Sequence, residues 1–161
     1  EGALRRQGEE GEMSWFRRLF RRESDASRKT VSEGWNGFIE RYGMLEYEQV
    51  DAAYKPAFLV YRYFSEVYNG GHLQFFLNCH KVPFDAVSAA LDEVAGPIAA
   101  ENFNIALDAW EAWDPEPPET SEEFVALAKE DTLEARDQFV YRVKPTLDDK
   151  LLNYMIERKL I

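Results

Sequence analysis

The segment from Tyr54 to Asn78 constrains the fold more than any other part of the chain. From Ala57 to Phe64 every position except Arg62 is apolar or aromatic. Such a run would suit either a buried strand or a buried helix, but the pattern continues to Tyr68 and is too long for a typical strand. A helix that is apolar on nearly all sides belongs in the centre of a core. The sequence therefore predicts a buried central helix.

The residues that follow predict a sharp reversal of the chain. Asn69, Gly70 and Gly71 should end the central helix, because Asn and Gly tolerate the left-handed conformation of a helix C-terminus. A second short, apolar helix should begin at once. We expect Asn69 to cap the first helix, and the amides of Gln74 and Asn78 to satisfy backbone groups that the turn leaves open. The alternative is a ligand pocket beside the turn.

The same stretch carries a motif, Glu66-Val-Tyr-Asn-Gly-Gly-His-Leu-Gln-Phe-Phe-Leu-Asn78. It resembles the signature E-V-x-N-G-G-x-x-Q-F-F-x-N of a bacterial domain family, once listed as of unknown function, that includes a DNA-mimic protein. The resemblance covers roughly residues 31–160. It implies an acidic α-helical domain whose surface carboxylates occupy a DNA-binding protein, without specifying individual acids. The positions that we expect to be structural are Glu66, Asn69, Gly70, Gly71, Gln74, Phe75, Phe76 and Asn78.

Apolar spacing and capping signals predict helices through the rest of the chain, and strand signals are absent. Three helices are expected at Val31 to Tyr42, Asp85 to Val94 and Pro97 to Trp113. A Thr120/Glu123 capping box should open a fourth helix, and an Asp131/Glu134 capping box should open a fifth after a break near Glu130. Pro145-Thr146 should open the last helix, which carries an apolar stripe from Leu147 to Leu160. We therefore predict an all-α fold, a single compact multi-helix domain over residues 31–161 preceded by an extension over residues 1–30.

Charge is the most informative property of the composition. The net charge is −11; residues 1–30 hold 8 basic and 6 acidic residues, whereas residues 31–161 hold 11 and 24. Between Asp85 and Asp137 there are 15 acids against only Lys129 and Arg136. So dense an acidic surface repels nucleic acid and membranes and favours basic partners. The plain alternative is a solubilising surface.

Some of these acids have a spacing that suits partner binding. Glu101, Asp108 and Glu111 share one face of their predicted helix, and the acids from Glu123 to Asp137 would share another if the helix ran unbroken. Two such rows would imitate the two phosphate strands of DNA coarsely, since duplex DNA carries about one charge per 1.7 Å. The predicted partner-binding residues are Glu101, Asp108, Glu111, Asp114, Glu116, Glu119, Glu122, Glu123, Glu130, Glu134 and Asp137.

The N-terminal extension has the opposite charge. Residues 1–12 lack apolar periodicity and are expected to be disordered, whereas residues 13–22 read MSWFRRLFRR. At helical spacing the apolar side chains from Trp15 to Phe20 share one face and four arginines share another. Contact of Trp15–Arg22 with an anionic membrane is one interpretation. The others are a floppy basic arm and an arm docked on the acidic face of its own domain.

Residues that could carry chemistry are few. Glu66, His72, Cys79 and His80 are close in sequence, but their spacing matches no zinc motif. His72 is expected at a helix start or as a partly exposed packing residue, and adjacent Cys79 and His80 seldom point together. We predict neither a metal site, nor a cofactor, nor a catalytic residue. A single cysteine and the lack of a membrane-spanning run suit a cytoplasmic protein.

Three functional hypotheses follow. The first is a non-enzymatic acidic protein that binds a basic, DNA-binding protein by DNA mimicry. The second is an immunity or antitoxin-like protein that neutralises a cationic toxin. The third is a ligand binder or enzyme using Glu66, His72 and Cys79 near the turn. No direct nucleic-acid contact is expected, and a homodimer is left open.

Overall fold

A computed structural model describes residues 25–130 and 132–161, with side chains from residue 29 onward and without that of Glu130. Seven α-helices and two short 3₁₀ helices make up the described part, and it holds no strand, which confirms the all-α prediction. The helices are α1 (Asp25–Tyr42), α2 (Lys55–Asn78), α3 (Phe84–Ala95), α4 (Pro97–Trp113), α5 (Ser121–Glu130), α6 (Glu134–Arg142) and α7 (Leu147–Glu157), with 3₁₀ turns at Tyr47–Gln49 and Ala52–Tyr54. The predictions for residues 1–24 lie outside the described residues.

Helix α2 is the centre of the core, as predicted. Its residues from Ala57 to Val60 are at most 3% exposed, and α3, α6 and α7 all pack against it. Tyr63 lies edge-on to Phe75 and to Phe103 of α4, with ring centroids 5.2 and 5.5 Å apart. These aromatic contacts join the two halves of α2 to α4.

Helix α2 reverses direction in its middle. Asn78 donates a hydrogen bond to Glu66 over 2.9 Å. Residues twelve apart in a continuous helix would be about 18 Å apart. The reversal occurs at two glycines: Gly70 has φ −160° and Gly71 has φ +73°. Only Gly71 is left-handed, so the prediction of a Gly–Gly turn holds and Gly71 is the residue that requires glycine.

The other helices follow the predicted boundaries with local differences. Helix α1 is already helical at Asp25, the first described residue, and so extends beyond the predicted start at Val31, and α4 spans the residues predicted for it. Helix α7 is opened by Thr146, which forms a capping box with Asp149. The apolar stripe predicted for it is buried from Leu147 to Met155, but Ile156 is 38% exposed.

The break predicted near Glu130 is present, and it separates α5 from α6. Helix α6 begins after Leu133, which is fully buried and is the N-cap residue. The predicted Asp131/Glu134 capping box depends on Asp131, which lies outside the described residues. No described helix is long and apolar enough to cross a membrane.

Candidate functional site

Most of the predicted partner-binding carboxylates are on the surface. Nine of the eleven are exposed, and among the described residues none of the nine forms an ion pair. Some acids elsewhere are paired: Asp51 binds Arg41 at 2.9 Å and Glu93 binds Arg158 at 3.1 Å. We call the nine the acidic face; they are Glu101, Asp108 and Glu111 on α4, Asp114, Glu116 and Glu119 in the α4–α5 loop, Glu122 and Glu123 on α5, and Glu134 on α6.

Local chemistry explains why the loop carboxylates stay outside. Asp114 ends α4 with a left-handed backbone, φ 44°, which Asp tolerates better than most residues. Three prolines follow within residues 115–118 and cannot continue the helix. Glu123 then accepts hydrogen bonds from the backbone of Glu119 and Thr120, and its own N–H donates to the Thr120 hydroxyl. The predicted Thr120/Glu123 capping box is thus present.

Asp137 does not belong to the acidic face. It is 4% exposed, and its carboxylate lies inside the protein. The prediction assumed one continuous helix through Glu130, whereas the break between α5 and α6 rotates Asp137 inward. The second predicted row of carboxylates therefore does not form as an unbroken row, and the side chain of Glu130 lies outside the described residues.

The buried Asp137 carboxylate binds the start of the second half of α2. It accepts one hydrogen bond from the backbone N–H of His72 at 2.8 Å and a second contact from Nδ1 of the same residue. Nε2 of His72 is 2.7 Å from the hydroxyl of Tyr63. His72 is fully buried, so the prediction of a helix-start or partly exposed residue missed its burial. The burial of His72 goes with its contact to Asp137, 65 residues away, which no motif in α2 reveals.

The arrangement Tyr63–His72–Asp137 has the residue types of an acid–base site but no access for a substrate. Tyr63 and His72 are 1% and 0% exposed, and none of the three residues lines the cavity beside Arg62 or the one beside Phe124. Burial raises the pKa of Tyr63 well above its usual range. The cluster therefore holds the reversal of α2 against α6.

A second polar cluster joins three polar residues of the motif. Glu66 accepts hydrogen bonds from Gln74 at 2.8 Å and from Asn78 at 2.9 Å, both through Oε2. The expectation that these amides serve backbone groups was wrong, because the reversal brings them to the Glu66 carboxylate instead. Phe75 and Phe76 on the same short helix are buried in the core. These residues fill the inside of the turn with the protein's own side chains.

Cys79 and His80 differ in their burial and in their contacts. Cys79 is 1% exposed, and burial raises the pKa of its thiol, whereas His80 is exposed and contacts the carbonyl oxygen of Leu77 at 3.1 Å. Both line a cavity of about 150 Å³ that also contains Arg62. In the described part of the chain, no group of three or more His, Cys, Asp or Glu residues is placed to hold a metal ion.

Comparison with known proteins places the domain. A family model described as DMP19-like protein matches residues 48–159. The chain belongs to the DMP19-like protein family. The match to this family spans α2 to α7, and so includes the helical reversal and the whole acidic face of the DMP19-like domain. No curated protein and no solved structure matches the chain.

Proposed function

We propose that this DMP19-like protein is a non-enzymatic protein that binds a basic, DNA-binding protein through its acidic face and so acts as a DNA mimic. The observation that carries the proposal is the set of nine exposed carboxylates without ion pairs among the described residues. A surface meant only for solubility needs no such separation of acids from bases. Family membership supports the same function.

The physics of the face suits this role. Asp108 and Glu111 lie on neighbouring turns of α4, where side chains are about 5–6 Å apart, and Glu101 lies about 10 Å before Asp108, so α4 carries a row of negative charges. A field of one sign attracts a basic partner and speeds association, and it repels DNA itself. The partner would then be a protein whose DNA-binding surface is basic.

The remaining polar residues support a non-enzymatic role. The Tyr63–His72–Asp137 cluster is enclosed, and Glu66 is occupied by Gln74 and Asn78. An active site requires a cavity in which polar groups converge on a substrate. The hypothesis of a ligand binder at the turn has no comparable support.

The test begins with identification of the partner. Wild-type protein and the variant Glu116→Lys, Glu119→Lys, Glu122→Lys, Glu123→Lys are used to capture proteins from the native host. The control variant, Glu33→Lys, Glu40→Lys, Glu48→Lys, Glu157→Lys, changes the net charge equally at exposed positions outside the acidic face. A specific partner is captured by the wild type and the control but not by the first variant.

The complex of that partner with DNA is then titrated with each protein. Mimicry requires that the wild type and the control displace the DNA and that the reversed variant does not. A ternary complex in which DNA stays bound would refute mimicry. Capture of a toxic nuclease that binds without competing for DNA would favour the immunity hypothesis instead.

A further inference from the structure

We propose that the chain's own segment Met13–Arg22 docks on the exposed stripe of α4 and so covers part of the acidic face. This proposal rests on the proposed function only in using the same face; it requires no DNA mimicry. The stripe is defined by four residues, Ile98, Glu101, Ile105 and Asp108. If the segment docks there, it competes with any basic partner and regulates binding from within the chain.

Exposed isoleucines are the feature of α4 that charge mimicry leaves unexplained. Ile98 is 66% exposed and Ile105 is 44% exposed. They are seven residues apart and therefore lie on one face of the helix, about 10 Å from each other. Glu101 and Asp108 lie beside them on the same side and are also exposed. A row of apolar side chains next to a row of carboxylates matches a partner that is both apolar and basic.

The segment Met13–Arg22 has this composition. Trp15, Phe16, Leu19 and Phe20 supply large apolar side chains, and Arg17, Arg18, Arg21 and Arg22 supply positive charge with no acid among them. The apolar residues would cover the isoleucines of the stripe, and the arginines would pair with its carboxylates. Arg is well suited to this, since its planar guanidinium can bind a carboxylate through two hydrogen bonds.

The C-terminal residues connect α1 to the helix that precedes the stripe. Helix α1 adjoins the C-terminal residues, because a Cβ atom on Gly34 would lie 2.7 Å from Cβ of Ile161. Three residues before Ile161, Arg158 binds Glu93 of α3 at 3.1 Å, and Glu93 precedes Ile98 by only five residues. Glu23 and Ser24 join Arg22 to Asp25 of α1, and these three steps along the chain span up to about 10 Å.

The experiment places a paramagnetic label in the full-length chain. The label is attached at Ser14→Cys in a chain that also carries Cys79→Ala, so that it has one site. We expect amide signals of residues 98–108 to lose intensity in the nuclear magnetic resonance spectrum. The loss should vanish at about 1 M salt, where the Debye length falls to about 3 Å.

Paired variants separate docking from a general effect. Ile98→Ser with Ile105→Ser, and Glu101→Lys with Asp108→Lys, should each restore the signals. The control pair Ile156→Ser with Glu157→Lys changes an exposed isoleucine and an exposed acid on α7 and should leave the loss intact. Arg17→Glu with Arg18→Glu should also abolish the loss, and combining it with Glu101→Lys and Asp108→Lys should bring it back. Circular dichroism of every variant checks that the fold is kept.

Three results would overturn the proposal. The first is full signal intensity throughout residues 98–108, and the second is signal loss confined to another surface. The third is signal loss in an isotope-labelled chain without a spin label that is mixed with the spin-labelled chain, because this would assign the contact to a second copy. None of them bears on partner capture by the loop and α5 acids. Conversely, failure of partner capture would not affect the docking proposal, because the signal loss is measured without a partner.

Discussion

The carboxylate of Asp137 on α6 accepts a hydrogen bond from the backbone N–H of His72, 65 residues earlier, and contacts Nδ1 of the same residue. The first half of α2 contributes Tyr63, whose hydroxyl meets Nε2 of the imidazole. One buried carboxylate thus fixes both halves of α2 to α6. The pair sets the orientation of α6 and therefore of Glu134 on the acidic face.

Asp137→Ala should destabilise the protein strongly. The change leaves the buried N–H and Nδ1 of His72 without their acceptor, and breaking a buried pair of this kind costs about 3 kcal/mol. Glu134→Ala, three residues earlier on the same helix but exposed, should change the free energy of unfolding by less than about 0.5 kcal/mol. Chemical denaturation measures both values. Equal costs for the two variants would show that the buried pair is not a major source of stability.

Gly71→Ala should cost more stability than Gly70→Ala. At φ +73° an alanine is strained, and its Cβ atom would collide with the Asp137 carboxylate. Such a position costs about 1–3 kcal/mol. At Gly70, with φ −160°, the backbone suits any residue, and the new Cβ atom meets only the movable side chain of Gln74. Melting temperatures compare the two; a larger loss for Gly70→Ala would contradict this assignment of the turn.

Stability should decline in alkaline solution as tyrosines ionise. Burial, together with the hydrogen bond to Asp51, raises the pKa of Tyr42 from 10.0 to about 12. The folded protein therefore keeps a proton that the unfolded chain releases, so this contribution is complete below pH 10.0 and is lost as the pH rises through about 12. Tyr42→Phe should make the decline shallower, as measured by denaturation at several pH values. Identical pH profiles would argue against the contribution of Tyr42.

Partner binding should not depend on Cys79 or His80. Cys79 is buried with a raised thiol pKa, which makes it a poor nucleophile, and His80 points to the Leu77 carbonyl. Cys79→Ala and His80→Ala should each leave partner capture unchanged once folding is confirmed by circular dichroism. Loss of function in a folded His80→Ala protein would revive the hypothesis of an active site at the cavity beside Arg62.

Affinity for the partner should fall steeply with salt. Each exposed pair contributes only about 0–1 kcal/mol, and the Debye length shortens from about 8 Å at physiological ionic strength to about 3 Å at 1 M. The fourfold reversal in the α4–α5 loop and α5 should therefore weaken binding far more than any single reversal, and should flatten its salt dependence. Calorimetric titration at several salt concentrations measures both. A salt-independent affinity would mean that the acidic face is not the binding surface.

Sequence reasoning located the elements that depend on local chemistry. The apolar run of α2, the two glycines and the Thr120 and Thr146 caps are visible in neighbouring residues. The extent of the helices and the exposure of the acids on α4 follow from the spacing of residues along the sequence. All of these are confirmed by the structure.

The partners of the polar core could not be read in this way. His72 and Asp137 are 65 residues apart, and no residue pattern near either one predicts their contact. The row of acids from Glu123 to Asp137 required an unbroken helix, although a break near Glu130 was itself predicted. The break between α5 and α6 changes which side of the chain faces the core, and Asp137 is buried. The sequence predicted backbone partners for Gln74 and Asn78. Their contact with Glu66 could not be predicted, because the distance between these residues depends on how far the chain reverses.

The contact between His72 and Asp137 also closes a loop that contains the entire acidic face. Every one of the nine carboxylates lies between these two residues in the chain, so the loop must close while its charges repel one another. Long-range closure is the slow step in folding of many domains, and repulsion inside the loop adds to its cost. Added salt should therefore speed the folding of this protein, although it weakens partner binding.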